Sequence, residues 1–268
     1  MYKLFIIFLS ISFIYSCATS VSEKNRKNSE VFYELGVETL AKSRLEESFR
    51  HFKKSVEENP RNHWGHYGLG IIYQANNDYD HAIESYLQAI QLQKNFSEAK
   101  NNLGICYMAK GQHNEAIKIF QDVLNDPFYK TPAHAYGNLG LSYYQQQDYQ
   151  KAVHYTKTAL KIQPQFCLGY KNLALIFEAQ KEYLLAINYL RQFLSICYES
   201  KVLSQYVTSQ TLSEIYHSLA KDYLLLHQTD KAIQSLESCI RNVSEKDFAL
   251  HCQSFLDQIK SVHKNDAK

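Results

Sequence analysis

The sequence predicts an all-α protein, a solenoid of stacked helical hairpins, and three observations support this prediction. A pattern of small and aromatic residues recurs about every 34 residues along most of the 268-residue chain. Such a period is typical of helix pairs that bury their apolar faces only against neighbouring pairs. The composition, 45% hydrophobic and 13% aromatic, is sufficient for a continuous core. Pro60 and Pro164 fall where the second helix of a pair must end, because proline lacks the backbone donor.

Four places of each repeat carry the pattern, counted from first residues at 29, 63, 97, 133, 167 and 213. Places seven and eight hold Leu35-Gly36, Leu69-Gly70, Leu103-Gly104, Leu139-Gly140, Leu173-Ala174 and Leu219-Ala220. Place eleven holds Tyr73, Tyr107, Tyr143, Phe177 and Tyr223, with Thr39 as the exception in the first repeat. Place twenty holds Ser48, Ala82, Ala116, Ala152, Ala186 and Ala232. We expect the small residue at place eight to let the first helix approach the small residue at place twenty.

This pattern resembles the tetratricopeptide repeat (TPR). The resemblance implies a TPR superhelical solenoid of six helix-turn-helix repeats and a C-terminal capping helix. The predicted TPR domain covers residues 29–262, with repeats at 29–62, 63–96, 97–132, 133–166, 167–200 and 213–246, a cap at 247–262 and a tail at 263–268. The linker 201–212 is longer than the period allows, so we expect either an added helical turn or a loop there.

The first sixteen residues have the character of an export signal. Lys3 is followed by an apolar run from Leu4 to Tyr15, which is too short to span a bilayer. The segment Ile14-Tyr15-Ser16-Cys17 resembles a bacterial lipobox, which implies acylation of Cys17 with fatty acids such as palmitate. Because Ala18 follows the cysteine, the resemblance implies an outer-membrane lipoprotein on the periplasmic side. Residues 17–28 are predicted to be the lipidated cysteine and a flexible tether. An ordinary secretory signal is the alternative.

A seven-residue junction between the third and fourth repeats carries a more specific resemblance. It reads Asp126-Pro-Phe-Tyr-Lys-Thr-Pro132 and is followed by Asn138-Leu139-Gly140. Two prolines forbid a continuous helix, so the segment should bulge. The junction, the lipobox and the six repeats together are similar to the PilF/PilW family, the type IV pilus pilotins. The resemblance implies a lipoprotein that binds the pilus secretin and promotes its outer-membrane localisation and assembly. Ordinary variation of the turn is the alternative for the junction alone.

The predicted partner site is the concave groove. In a TPR superhelix, places two, five, six, nine and twelve of the first helices point into it. The predicted lining is Trp64, Tyr67, Ile71, Asn101, Asn102, Ile105, Asn138, Leu141, Tyr144, Lys171, Asn172 and Leu175. Three of these amides share place six, and a carboxamide can both donate to and accept from a peptide backbone. The same amides could instead bond neighbouring hairpins, and Tyr67 could pack between repeats. The groove lacks the Lys and Arg cluster that would clamp a C-terminal carboxylate.

The chain shows no signature of catalysis. No nucleophile elbow, phosphate loop or pair of catalytic carboxylates is found, so we predict no enzyme, no cofactor and no small-molecule substrate. Lys and Arg total 29 against 27 Asp and Glu, which gives no reason to expect nucleic acid. His63 and His66 lack a third ligand, so a surface pair is predicted rather than a metal site.

Six cysteines are present, and five remain after Cys17. In an exported protein Cys239 and Cys252 could form a disulfide, or they could simply pack as small buried residues. Cys106 is predicted to lie in the core.

Two further functions compete with the pilotin hypothesis. One is a general periplasmic adaptor that organises envelope enzymes such as peptidoglycan hydrolases. The other is a repeat domain accessory to a catalytic activity that the sequence does not reveal.

Overall fold

The computed structural model describes residues 21–266, so the predicted signal sequence and Cys17 lie outside the described residues. Within them the chain is helical and contains no strand, which confirms the all-α prediction. The first helices of the six hairpins are α1 (Glu23–Ala41), α3 (His63–Ala75), α5 (Ser97–Ala109), α7 (Pro132–Gln145), α9 (Cys167–Ala179) and α11 (Ser209–Leu225). The second helices are α2 (Leu45–Glu58), α4 (Tyr79–Leu92), α6 (His113–Leu124), α8 (Tyr149–Ile162), α10 (Tyr183–Phe193) and α12 (Thr229–Asn242). The capping helix is α13 (Lys246–Asp266).

The first helix begins earlier than predicted. Residues 23–28, assigned to the tether from their polarity, form the first turns of α1. Ser22 caps this helix, and its Oγ accepts the backbone N–H of Asn25 at 3.1 Å. Glu23 and Lys27, four residues apart, pair at 2.9 Å on the exposed face. Polar residues of this kind form a helix well once a cap and such pairs are present, so polarity alone was a poor guide.

The long linker 201–212 includes one added helical turn and the first residues of α11. A π-helical segment, Leu194–Tyr198, prolongs α10, and a 3-10 turn, Ser204–Tyr206, follows. Thr208 then caps α11 by accepting the N–H of Thr211 at 3.1 Å. At the other end, α13 runs to Asp266, so it includes part of the predicted tail.

The chain divides into two compact units at Leu69 and Gly70, within α3. In the first unit, Phe52 is almost fully buried, and its ring lies against Gly36 of α1 and Gly68 of α3. A buried polar network supplements this small core. The Oγ of Ser29 donates to the carbonyl of Ser55 at 2.7 Å, and Nδ2 of Asn62 donates to Ser29 Oγ at 2.8 Å. Every member of this network has a hydrogen-bond partner, so the network stabilises the fold.

The core of the second unit corrects one expectation about the repeat. The small residue at place eight faces place twenty-four of the same hairpin more closely than place twenty. A Cβ added to Gly70 would lie 2.5 Å from the ring of Tyr86, and one added to Gly104 would lie 2.6 Å from the ring of Phe120. Large aromatic rings at place twenty-four therefore require glycine at place eight, because the ring packs on the bare backbone of the first helix.

The third-to-fourth junction bulges as predicted, and its residues have distinct tasks. Asp126 accepts Ser97 Oγ at 2.5 Å and the N–H of Phe128 at 2.9 Å. Tyr129 is buried with Val123 and Ala135. The chain enters α7 at Pro132, where the missing donor costs nothing.

Four cysteines of the second unit form two disulfides. Cys239 on α12 is bonded to Cys252 on α13, the pairing that the sequence left open. Cys167, the first residue of α9, is bonded to Cys197 in the π-helical extension of α10, a pairing that we did not predict. Cys106 is a free, buried thiol, as expected for a core residue, and burial raises its pKa to about 12.

We predict that Gly104→Ala destabilises the protein by roughly 1–3 kcal/mol, because the new methyl group overlaps the buried Phe120 ring. The double variant Gly104→Ala/Phe120→Leu should recover most of this loss, since the fifth hairpin natively combines Ala174 with Leu190 at these places. Urea unfolding followed by circular dichroism measures both. Equal stability of the single and double variants would contradict the assigned packing.

We also predict that Cys167→Ala/Cys197→Ala lowers the free energy of unfolding by about 3 kcal/mol, because the bridge closes a loop of 30 residues. Thermal unfolding measures this change. A thiol assay on the denatured parent, with its disulfides intact, should detect Cys106 as the free thiol among residues 21–266. A midpoint unaffected by loss of the bridge would refute the prediction.

Candidate protein-binding groove

The first unit contains an aromatic cluster that includes two of the predicted lining residues, Trp64 and Tyr67. Trp64 is 40% exposed, and its ring centroid lies 5.7 Å from that of Tyr33 and 6.0 Å from that of Tyr67. Tyr67 packs edge-on against Trp64, so it belongs to this cluster. His63 stacks near Trp64, whereas His66 contacts the carbonyl of Pro60. The two histidines are thus engaged separately.

The second unit presents a row of aliphatic side chains at place nine, which we call the ninth-place row: Ile71, Ile105, Leu141 and Leu175. The first three are half-buried, and Leu175 is exposed. Ile105 and Tyr144, at place twelve, also pack against the buried core around Phe120 and Leu139. The row therefore rests on the rigid core while part of its surface stays accessible.

The amides divide between internal and accessible positions. Asn138 donates its Nδ2 to Oδ1 of Asn101 at 3.2 Å, so this pair bonds two neighbouring hairpins. Asn101 is buried, and Asn102 is half-buried. Asn172 is half-buried, and no hydrogen bond of its carboxamide is found within the described residues. Of the predicted place-six ladder, Asn138 serves hairpin packing and Asn172 keeps its capacity for a partner.

Two ion pairs connect the fifth and sixth hairpins beside the ninth-place row. Lys171 bonds Glu214 at 2.5 Å, and Lys221 bonds Glu178 at 2.7 Å. Desolvation opposes the charge of Glu214, but hydrogen bonds from Lys171 and Gln210 lower its pKa. Desolvation likewise opposes the charge of Lys221, but the bond to Glu178 raises its pKa. These shifts favour the charged forms of Glu214 and Lys221, and the two ion pairs link α11 to α9.

A cavity of about 490 Å³ lies between α11 and α13. Its lining is Gln210, Ser213, Glu214, His217, Ser218, Asp247, Phe248 and His251. The His217 ring stacks between those of His251 and Phe255, at 5.2 and 4.5 Å. Burial, assisted by His251, lowers the pKa of His217, so this imidazole is neutral at pH 7. The cavity is thus a mixed polar and aromatic extension of the groove lining.

Four further residues of the fifth and sixth hairpins hold lining places but were not among the predicted lining residues. Glu214, His217 and Lys221 hold places two, five and nine, and Glu178 holds place twelve of the fifth. The register that identified the other lining residues also identifies these four.

Asp222 is a buried carboxyl group beside this region. It is fully buried on α11, and neither of its oxygens has a hydrogen-bond partner. Burial raises its pKa to about 7, with a further contribution from Glu178 and an opposing one from Lys221. The other hairpins of the second unit hold Ile72, Cys106, Ser142 and Ile176 at this place ten.

Among the described residues, no group of three or more His, Cys, Asp or Glu side chains could hold a metal ion. None of the helices from residue 21 onward combines the length and apolarity that crossing a membrane requires.

Comparison with known proteins identifies the repeat. Tetratricopeptide-repeat models match residues 63–96, 96–165 and 138–197. The structure of PilW, a widely conserved type IV pilus biogenesis factor, superposes with a TM-score of 0.72 at 21% identity, over 83% of this chain and 97% of that one. Pseudomonas aeruginosa PilF gives 0.65 at 17% identity, over 87% and 99%. A chain of the APC/C hetero-tetramer Cut9–Hcn1 gives 0.69 at 19%, over 87% of this chain and 43% of that one. No curated sequence matches the chain.

These matches establish a TPR solenoid, a fold that serves as a scaffold for protein interactions. The two pilus-related chains match over nearly their full length, whereas the third is more than twice as long as the matched part. At such identities the likeness concerns the fold, and it confirms the TPR superhelix predicted from the repeat.

We predict that Asp222 makes the protein less stable as the pH rises. Its folded pKa of about 7 lies above the unfolded value near 4, so the stabilising, protonated form is complete below pH 4 and is lost as the pH rises through 7. Over this window the expected slope is about 1.4 kcal/mol per pH unit. Asp222→Asn should therefore gain more stability over the parent at pH 8 than at pH 5.

Urea unfolding of both proteins at pH 5 and pH 8 tests this. Asp230→Asn, an exposed change on the same hairpin, is the matched control and should show an equal effect at the two pH values. If Asp222→Asn behaves like this control, the raised pKa is wrong.

Proposed function

We propose that this TPR protein, whose fold is similar to those of PilW and PilF, is a type IV pilus biogenesis factor of the pilotin type. The observation that carries the proposal is the match to PilW over 97% of that chain and 83% of this one. It would bind the pilus secretin through its groove and promote the localisation and assembly of secretin at the outer membrane. It would act as a binding protein and not as an enzyme.

The proposed location rests on the N-terminal sequence. Ile14-Tyr15-Ser16-Cys17 would direct cleavage before Cys17, acylation of its thiol and anchoring in the outer membrane on the periplasmic side. The two disulfides support an oxidising compartment, because such bonds are rare in the cytosol.

The groove of the second unit supports a mixed apolar and amide contact. The ninth-place row offers apolar surface, and Asn172 offers a donor and an acceptor to a peptide backbone. The row ends at the sixth hairpin, where Lys221 takes place nine and is paired with Glu178. An apolar segment of the partner laid along the row would therefore meet a charged boundary at its end.

A general periplasmic adaptor is the second candidate. The Cut9–Hcn1 match favours it, because the same fold there belongs to an assembly of another kind. The two candidates differ in the partner that the groove recovers from cells.

We predict that Leu175→Glu reduces recovery of secretin by at least about tenfold in crosslinked cells, because a charge would replace the most exposed apolar contact of the row. Leu185→Glu is the matched control, since Leu175 is 38% and Leu185 42% exposed but Leu185 lies on α10, outside the row. Mass spectrometry of the purified complexes identifies the partners. Asn172→Ala tests the amide contact separately.

Each outcome decides between the candidates. Loss of secretin with Leu175→Glu but not with Leu185→Glu supports both the pilotin function and binding through the groove. Equal recovery with all variants keeps the pilotin proposal and removes the groove from it. Envelope enzymes without secretin would refute the pilotin proposal in favour of the adaptor.

A further inference from the structure

A cavity of about 320 Å³ lies between the second helices of the fifth and sixth hairpins, and we call it the α10–α12 cavity. Leu194, in the π-helical extension of α10, lines it together with three residues of α11, Tyr216, Leu219 and Tyr223. These four side chains form an apolar and aromatic floor. None of the predicted groove residues lines this cavity, so it is a separate feature of the second unit.

The α10–α12 cavity exists because a serine takes the place of a tyrosine. At place twenty-three the fourth and fifth hairpins have Tyr155 and Tyr189. The ring of Tyr189 stacks on Phe177 at place eleven, with 5.6 Å between the ring centroids. The sixth hairpin has Ser235 at place twenty-three, and both Ser235 and Tyr223 line the cavity. Serine supplies no ring, so the space beside Tyr223 stays open.

Two cationic side chains line the cavity, and neither is paired with an acid. Arg191 of α10 is exposed, and its guanidinium forms no hydrogen bond or ion pair within the described residues. Lys231 of α12 donates to the neutral carboxamide of Gln228 at 2.8 Å. In the fourth hairpin the lysine at the same place, Lys151, is instead paired with the carboxylate of Asp148 at 2.7 Å. The sixth hairpin thus keeps the cation without its counter-ion.

The acidic residues around the cavity do not neutralise it. No Asp or Glu contributes to its lining. Glu237 is paired with a lysine of α13 at 3.6 Å, and Asp230 forms no ion pair with the lining lysine that follows it. Glu199 raises the pKa of Tyr216, but Arg241 lowers it. A cleft lined by charges of one sign concentrates ions of the opposite sign, so the occupant of this cavity is an anion.

We infer that the α10–α12 cavity binds the carboxylate of a glutamate side chain from a protein partner. Arg191 and Lys231 hold the carboxylate by charge-assisted hydrogen bonds, and the carboxamide of Gln234, another lining residue, adds a donor. The methylene groups of glutamate pack on the apolar and aromatic floor, which favours this side chain over a bare inorganic anion. The inference requires a protein partner, as the TPR fold does, but not the pilotin assignment.

Binding of an acidic peptide to the full chain tests the inference. The probe is hexaglutamate, blocked at both ends and labelled with an uncharged coumarin, and fluorescence anisotropy at low ionic strength measures its affinity. Arg191→Gln/Lys231→Gln should weaken binding by about fivefold or more, because two charge-assisted contacts are lost. Lys151→Gln/Lys157→Gln is the matched control, since it removes the same charge from places nineteen and twenty-five of the fourth hairpin. This control should bind the peptide like the parent.

A variant that fills the cavity without changing its charge provides a second test. Ser235→Tyr introduces the residue that the fourth and fifth hairpins have at this place and leaves both cations intact. It should weaken binding as much as the loss of the two cations does. Circular dichroism verifies that each variant is folded.

The outcomes separate this inference from the proposed function. Equal weakening by the two double variants would show a response to net charge alone and would overturn the inference. Undiminished binding by Ser235→Tyr would place the contact outside the cavity and overturn it as well. Calorimetric binding of inorganic phosphate without binding of hexaglutamate would replace the protein side chain by a free anion. None of these measurements involves secretin, so their failure leaves the pilotin proposal untouched.

Discussion

The close approach of the two helices within each hairpin is the constraint on which the structure depends. In the second, third and first hairpins, an aromatic ring at place twenty-four packs directly on a glycine of the first helix. Where place eight carries a methyl group, as at Ala174 and Ala220, place twenty-four is Leu190 or Leu236. A ring at place twenty-four thus occurs only with glycine at place eight, because the interior has no spare volume for both a methyl group and a ring. Since each hairpin packs mainly on its neighbours, this local fit is repeated along the chain.

The repeat was predictable because its signal is periodic. Leucine and a small residue recurred six times, and each recurrence fell in a first helix. The partner of the small residue was harder to predict, because place twenty-four varies along the six hairpins as Phe, Tyr, Phe, Thr, Leu and Leu. The turn at place fifteen gives a similar lesson. The residue at this place has a left-handed backbone conformation in all six hairpins. Only Gly111 is a glycine, the residue type that would predict this conformation, whereas Ser43 and Lys181 adopt it without any signal in the sequence.

The repeat register assigned each predicted groove residue to a first helix, but it did not give the hydrogen-bond partner of that residue. Register located the ninth-place row correctly on the first helices. It could not distinguish Asn138, which bonds Asn101, from Asn172, because both hold the same place. The Cys167–Cys197 bridge was not predicted, because it depends on a π-helical extension of α10 for which the sequence has no spacing rule. Tertiary context decides these cases, since each depends on what the adjacent hairpin presents.

The arrangement of the two bridges has a consequence for biosynthesis. Each joins cysteines that are consecutive in the chain, Cys167 with Cys197 and Cys239 with Cys252. If the chain is exported as proposed, Cys106 emerges before the four bridged cysteines, and its thiol could capture Cys167 by mistake. In the folded third hairpin Cys106 is fully buried and protonated, so a hairpin that folds as it emerges withdraws the competing nucleophile. Vectorial oxidation would then yield the native pairs in order, without subsequent isomerisation.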